Sequence, residues 1–474
     1  MKRFYTALVA TILAFTSVAL YAEVNTLYFM NYLPYKIYMN PAFQSNCDTY
    51  VELPIISTIG VDVNAGALSV SDIIKNSNGK MVTFLHPDFG TTERDALFKK
   101  LHNNNIIKEE LNVSLFGFGF KLRKRGYLSI NMSLREDLTA FLPKDLFSFL
   151  LYGTPDSLGN HYDFTNTKVS ANAYIDFNGG YSYRINDKWS VGGRLHLLLG
   201  LANASASFNS LTLDAQADKW RLTGNGVANI SFPGISVKTD AQGKIEGFNF
   251  PSQFNEYVKN YKPCMGAALD LGGVYRPIKN LNISLSLKDM GFMVWDNSGV
   301  ANANVDYTYT GLEYSPSDKN VNYGDSLLKA LESSYYYNAM ASGQPYVSAM
   351  NAKMYVGVEY SFLKDMMSVG LLSRTELNAG RLSEELTLSY NLRPCYWFSM
   401  SASYSFISGG FNTIGLGLNL RLPPFNFYVV SDYMPLYYSA EGIPYRSQRL
   451  NLQAGILLTF NCAKSTPLHN VAAF

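Results

Sequence analysis

The chain has 474 residues, 47% apolar and 14% aromatic, but only 16% charged, and its mean hydropathy is −0.04. That hydropathy is far below a helical membrane protein's, and soluble domains carry roughly 25% charged residues. A net charge of +2 argues against nucleic acid or another polyanion as a partner, since such binding needs a concentrated basic surface.

Residues 1–22 have the layout of a cleaved export signal. Lys2 and Arg3 precede the apolar run from Ala7 to Val18, and Leu20-Tyr21-Ala22 offers a cleavage site. The apolar run is shorter than the roughly 18 to 20 residues of a spanning helix. No cysteine follows the site, which argues against a lipid anchor. Residues 23–111 carry polar loop clusters such as Asn76-Ser77-Asn78-Gly79. A helix is predicted from Thr92 to Leu101, with Glu93 and Asp95 near its start and Lys99 and Lys100 near its end, as the helix dipole favours. The region reads as a hatch inserted in a lumen, with one candidate strand at 52–63.

From 112 to 460 the pattern changes to segments of about ten residues in which apolar and small polar side chains alternate. In one, Leu281, Ile283, Leu285 and Leu287 oppose Asn282, Ser284, Ser286 and Lys288. In another, Phe398, Met400, Ala402, Tyr404 and Phe406 oppose Ser399, Ser401, Ser403 and Ser405. Period two sends these rows to opposite faces of a strand, so one face must meet lipid or a core and the other water. Tight links at 123–125, 185–188, 276–280, 363–366, 393–395 and 422–424 alternate with long ones at 135–167, 231–264, 290–351, 375–383 and 431–448. Short periplasmic turns and long extracellular loops produce that alternation. A secreted sandwich would not. The expected fold is all-β, a transmembrane up-and-down antiparallel β-barrel with an N-terminal lumen hatch. About fifteen segments can be counted, two of them weak across 205–230. An even number is required, so the wall has fourteen strands if the weak pair is one, or sixteen if 52–63 joins it. Residues 461–474 form a C-terminal tail.

Several residues stand out within this frame. Arg194, His196, Asp270, Glu359, Glu385 and Asp432 fall on polar faces of their strands and are candidate lumen-facing groups; such charges most often solvate a lumen or brace a plug. Gly179-Gly180 is the candidate wall kink, because paired glycines permit a bulge. Tyr335, Tyr336 and Tyr337, beside a helix predicted near Asp325 to Tyr336, and Tyr437 and Tyr438 place flat amphipathic rings in the longest loops. They suit a glycan, protein or amphipathic ligand, or they pack the loops. Cys47, Cys264, Cys395 and Cys462 show no metal-site spacing. Cys395 with Cys462 is the disulfide pairing to test first. There is no Gly-x-Ser-x-Gly or His-Glu-x-x-His motif, and no cofactor, metal or catalytic constellation is expected.

Two short motifs resemble a known group. Met39-Asn40-Pro41-Ala42-Phe43 is similar to the NPA element in the hatch of long-chain fatty acid transporter (FadL-like) barrels, including the PorV-like proteins of Bacteroidetes. Ser286 to Phe292, followed by Trp295, resembles the strand-end motif of an uncharacterised Bacteroidetes barrel family of the same group. The resemblance implies a hatch containing Asn40 and Pro41, fourteen strands and a lateral exit beside a kinked strand. Read from the residues alone, Asn40-Pro41 is a turn. The expectation is therefore a bacterial outer-membrane barrel, in contact with membrane lipid, that passively transports hydrophobic or amphipathic small molecules. The alternative is a non-conducting barrel that binds a protein or glycan partner, such as a secretion-system accessory.

Overall fold

The computed structural model describes residues 24–66, 68–77, 80–153, 160–216, 219–239, 245–249, 253–296, 298–309, 335–340, 345–378, 381–407, 411–434 and 449–463. The signal segment, Tyr437, Tyr438 and the helix expected from Asp325 through 334 lie outside them.

Fourteen antiparallel strands close into a barrel. The first, β1, comes in two pieces, Cys47–Glu52 and Ile59–Asn64. After it follow β2 (Asn104–Leu122), β3 (Gly126–Pro143), β4 (Lys168–Arg184), β5 (Trp189–Ala215), β6 (Cys264–Ile278) and β7 (Leu281–Trp295). Strand β8 is again in two pieces, Tyr346–Ala349 and Ala352–Phe362. The rest are β9 (Met367–Asn378), β10 (Arg381–Cys395), β11 (Phe398–Ile407), β12 (Phe411–Leu422), β13 (Phe425–Ser431) and β14 (Arg449–Cys462). Closure comes from β1, which pairs with β14 on one side and β2 on the other.

Burial is inside out relative to a soluble protein. On β11, Tyr404 and Phe406 are 38% and 49% exposed, while Ser405 between them and Ser403 beside them are buried. On β7, Leu285 is 48% exposed and Ser286 is 0% exposed. A continuous apolar outer face of this size would be unstable in water and is what a bilayer solvates. Aromatic side chains ring the short-turn end, among them Trp189 stacked on Tyr275, Tyr396, Trp397, Phe425 and Phe460. Among the described residues no helix is long and apolar enough to cross a membrane.

The strand count resolves in an instructive way. The two weak segments across 205–230 are not wall strands. Strand β5 is 27 residues long, about 90 Å at roughly 3.3 Å per residue, far beyond the 9 to 11 residues a bilayer needs. Its upper half pairs with Trp220–Ser231, which pairs with Ser298–Tyr309, which pairs with Tyr335–Met340. These strands form a sheet that projects past the wall. Tyr335, Tyr336 and Tyr337 begin its last strand, where a helix was expected. The fourteenth wall strand is instead β1, which overlaps the candidate at 52–63.

The expected hatch at 23–111 shrinks accordingly. Among the described residues of that stretch, 24–46 occupy the lumen; β1 follows, and the connection from β1 to β2 lies at the long-loop end. That connection holds the short helix α1 (Thr91–Lys100), as predicted, which packs Leu97 and Leu101 against Phe147 and Leu151 of α2 (Lys144–Tyr152). The disulfide is Cys47–Cys462 rather than Cys395–Cys462, because β1 lies directly beside β14 and sets Cys47 opposite Cys462. Alkylation of the unfolded, unreduced chain is expected to modify Cys264 and Cys395 and spare Cys47 and Cys462. Modification of all four would contradict the assigned position of β1.

Candidate functional site

A fourteen-stranded wall encloses more space than its own side chains fill, and residues 24–46 fill the part nearest the short turns. They form two turns of 3-10 helix, Asn25–Phe29 and Pro34–Tyr38, and almost every residue is buried. Pro34 starts the second turn, where its missing N–H costs nothing. Val24, Leu27, Tyr28, Phe29, Met30, Leu33 and Met39 pack on Tyr355, Leu372, Tyr428, Val430 and Leu457 of the wall.

The wall is shaped to receive this plug. At Gly192 and Gly272 an added methyl group would overlap Pro41 and Asn40, at Gly357 and Gly370 it would meet Tyr28 and Phe29, and at Gly415 and Gly417 Thr26 and Met30. Six inward positions on β5, β6, β8, β9 and β12 are thus glycine where plug atoms touch the backbone. Polar anchors complete the seat. Asp432 accepts the backbone N–H groups of Asn25 and Thr26 at 2.6 and 2.8 Å. Glu359 accepts from Asn31 at 3.1 Å and from Ser368 at 2.7 Å, and Arg421 donates to the Tyr32 carbonyl at 2.7 Å. Asn40 is completely buried. Its Oδ1 accepts the Ala42 N–H at 2.9 Å, closing the turn, and its Nδ2 donates to the Leu285 carbonyl at 3.1 Å.

Toward the long loops the lumen is lined by buried ion pairs. Arg449 holds Asp62 and lies 3.3 Å from Glu385, which Arg374 approaches at 3.9 Å. Arg374 also pairs with Glu376 at 3.1 Å; Lys108 joins Glu376 to Glu110, and Lys353 meets Glu110 at 3.1 Å. Further round, Arg135 grips Asp289 through two nitrogens at 2.8 and 3.1 Å and reaches Asp176 at 3.3 Å, and His196 lies between Asp176 and Asp270. Arg194 donates to Ser129 and Asn178 and sits over the Tyr38 ring of the plug. Among the described residues, two of the cavities between this collar and the plug hold about 40 Å³ each, well below the roughly 150 Å³ of a cavity that takes up benzene.

All six candidate lumen charges are buried and engaged, Glu359 and Asp432 with the plug directly, Arg194 through Tyr38, and His196, Asp270 and Glu385 in the collar. The other charges of the collar, Asp62, Lys108, Glu110, Arg135, Asp176, Asp289, Lys353, Arg374, Glu376 and Arg449, are not among the candidates drawn from sequence. The same alternation carries the signal, for instance Asp176 two residues before Asn178 on β4. Gly179 and Gly180 do not kink the wall: the ladders to β3 and β5 run through both, and Gly180 makes room for Arg194. The break lies in β1. Residues 53–58 leave the strand, Ile55 takes a φ of 68° that a β-branched residue rarely adopts, and Ile55 and Ile56 are 57% and 50% exposed. Above the break β1 pairs with β14, and among the described residues no ladder joins it to β2.

In the plug, burial pushes the Lys36 amine down to about 7, with Asn31 Oδ1 accepting from it at 2.8 Å. A released plug would carry Lys36 near its ordinary 10.5 and bind more protons between those values, so docking strengthens as pH rises from about 7 toward 10 and is flat below. The urea concentration that releases the plug is expected to rise over that window, and Lys36→Met to remove the dependence. An unchanged slope in Lys36→Met would contradict it.

Solved structures similar to the chain include the toluene transporter TbuX of Ralstonia pickettii (10% identity, 91% of this chain and 95% of that one, TM-score 0.41). A FadL homologue of Pseudomonas aeruginosa (11%, 94% and 99%, 0.39) and the toluene transporter TodX of P. putida (8%, 90% and 90%, 0.34) are similar too. Likenesses this distant say nothing about what this barrel carries. No curated protein matches the chain. The family model of DUF5723, a family of unknown function, matches residues 41–432, from Pro41 within the plug to the anchor Asp432, and the chain belongs to that family.

Proposed function

We propose that this outer-membrane barrel is a passive, plug-gated transporter for small amphipathic molecules. The observation that carries the reading is the fitted plug: residues 24–46 close the lumen through contacts on six glycines, a seat that a merely structural barrel does not need. The solute enters from the long-loop end and meets the ion-pair collar, where Arg135, Lys353, Glu110 and Asp289 beside Tyr35, Tyr174 and Met350 offer both polar and apolar contacts. That lining suits a molecule with a polar group better than a bare hydrocarbon. The missing ladder between the upper piece of β1 and β2, flanked by exposed Ile55 and Ile56, supports a sideways exit toward lipid.

A second reading, a non-conducting barrel that binds a protein or glycan partner, draws support from the sheet built on the upper half of β5. Vesicle swelling separates the two. Vesicles containing the full chain are expected to exclude small sugars, and vesicles containing a chain that lacks residues 24–46 to admit them. Cells whose own fatty-acid channel is deleted are expected to regain uptake of a labelled medium-chain fatty acid with the full chain. A plug-deleted barrel that migrates as folded on an unheated gel yet admits no sugar would overturn the gate and favour partner binding.

A further inference from the structure

The ion-pair collar contains one arrangement that transport through a plugged lumen does not explain. His196 on β5, Asp270 on β6 and Asp289 on β7 are all buried, and one potential ligand atom of each lies within 4.8 Å of the other two. The imidazole is held from behind. Nδ1 lies 2.9 and 3.0 Å from the two oxygens of Asp176, and a carboxylate can only accept, so Nδ1 carries the proton. Nε2 then points toward Asp270 and Asp289. It lies 3.1 Å from Asp270 Oδ2, close enough for an ion pair, yet it is not aligned for a hydrogen bond and finds no other hydrogen-bond partner, although His196 is only 7% exposed.

A carboxylate that fixes one imidazole nitrogen while the other faces two further carboxylates is the outer-shell pattern of metal-bound histidines. The separation of Nε2 and Asp270 Oδ2 suits two adjacent ligands of one ion at about 2.0 to 2.2 Å bond lengths. Ligand atoms of a tetrahedral ion lie about 3.3 to 3.6 Å apart at such bond lengths, so Asp289, within 4.8 Å of the other two, would swing inward by up to roughly 1.3 Å to complete the site. Arg135 would keep its hold on the other Asp289 oxygen, and Asp270 Oδ1 would still accept the Asp289 N–H at 2.8 Å. The cavity of about 40 Å³ bordered by all three residues leaves space for water to complete the coordination.

We propose that His196 Nε2, Asp270 and Asp289 bind one divalent transition-metal cation, with Asp176 as the positioning residue. One imidazole with two carboxylates favours zinc, manganese or a similar ion over calcium, which prefers an all-oxygen shell. The ion would tie β5, β6 and β7 together just above the plug. This inference does not depend on what the barrel carries.

The test uses the full, untagged chain in detergent. Dialysed against zinc, it is expected to retain about one ion per chain, and cobalt in its place to give visible absorption from a nitrogen and oxygen shell. His196→Ala and the nearly isosteric Asp270→Asn are expected to abolish both signals, Asp176→Asn to weaken affinity by about 10- to 100-fold, and His161→Ala, an exposed histidine paired with Asp214, to change neither. Folding of each variant is checked by unheated gel migration; if His196→Ala fails to fold, Asp270→Asn decides. Absence of binding by the parent chain, or binding that survives Asp270→Asn, would overturn the site.

Discussion

The size of the ring governs the rest of this molecule. A β-sheet closed with fourteen strands and an apolar outer face must put its polar row inside, yet the circumference is too large for small serines and asparagines to fill the middle. Residues 24–46 meet that need, and the wall meets them in turn with Gly192, Gly272, Gly357, Gly370, Gly415 and Gly417. Backbone can approach backbone at these points, so the plug gains dispersion contacts and excludes water from Asp432, Glu359 and Asn40, whose hydrogen bonds then act in a low-dielectric site.

The charged collar follows from the same geometry. Inward positions above the plug have neither lipid nor plug to pack on, and they carry Arg135, Lys108, Arg374 and Arg449 with their carboxylate partners. Buried ion pairs of this kind contribute little net stability against an apolar alternative, since desolvation offsets most of the attraction. They keep the vestibule polar, so a solute that enters must exchange contacts with charged side chains. Where β1 breaks at 53–58, the wall gives up part of its ladder to β2, two backbone hydrogen bonds to Ser114 excepted, and Arg449 with Asp62 adds an ion pair to the ladder that holds the upper piece on β14.

Much of this was legible in the residues. Strict alternation in segments such as 281–289 and 398–406 shows the inside and the outside directly, whereas Asn40-Pro41 reads from its residues as a turn and points to a hatch only through the resemblance to FadL-like barrels. Position 47–64 is harder to read because its strand is interrupted, so no ten-residue alternation survives; the candidate at 52–63 overlaps β1 but misses its first piece, Cys47–Glu52, within an expected hatch that runs to 111. The two segments across 205–230 alternate as wall strands do, and only pairing reveals that one extends β5 and the other leaves the barrel. The Cys47–Cys462 bridge depends on β1 closing against β14, a contact 415 residues apart that no local pattern encodes. Gly179-Gly180 misled because a glycine can serve a bulge or a neighbour's bulk, and here Gly180 serves Arg194.

Hydrogen exchange of the plug amides in the folded barrel tests the central claim most directly. If residues 27–42 are locked on the glycine seat, their exchange is expected to be as slow as that of β11 and β12, and to accelerate in Gly192→Val and Gly272→Val while the wall strands stay protected. Exchange of residues 27–42 at the rate of a free peptide in the unsubstituted protein would contradict the plug.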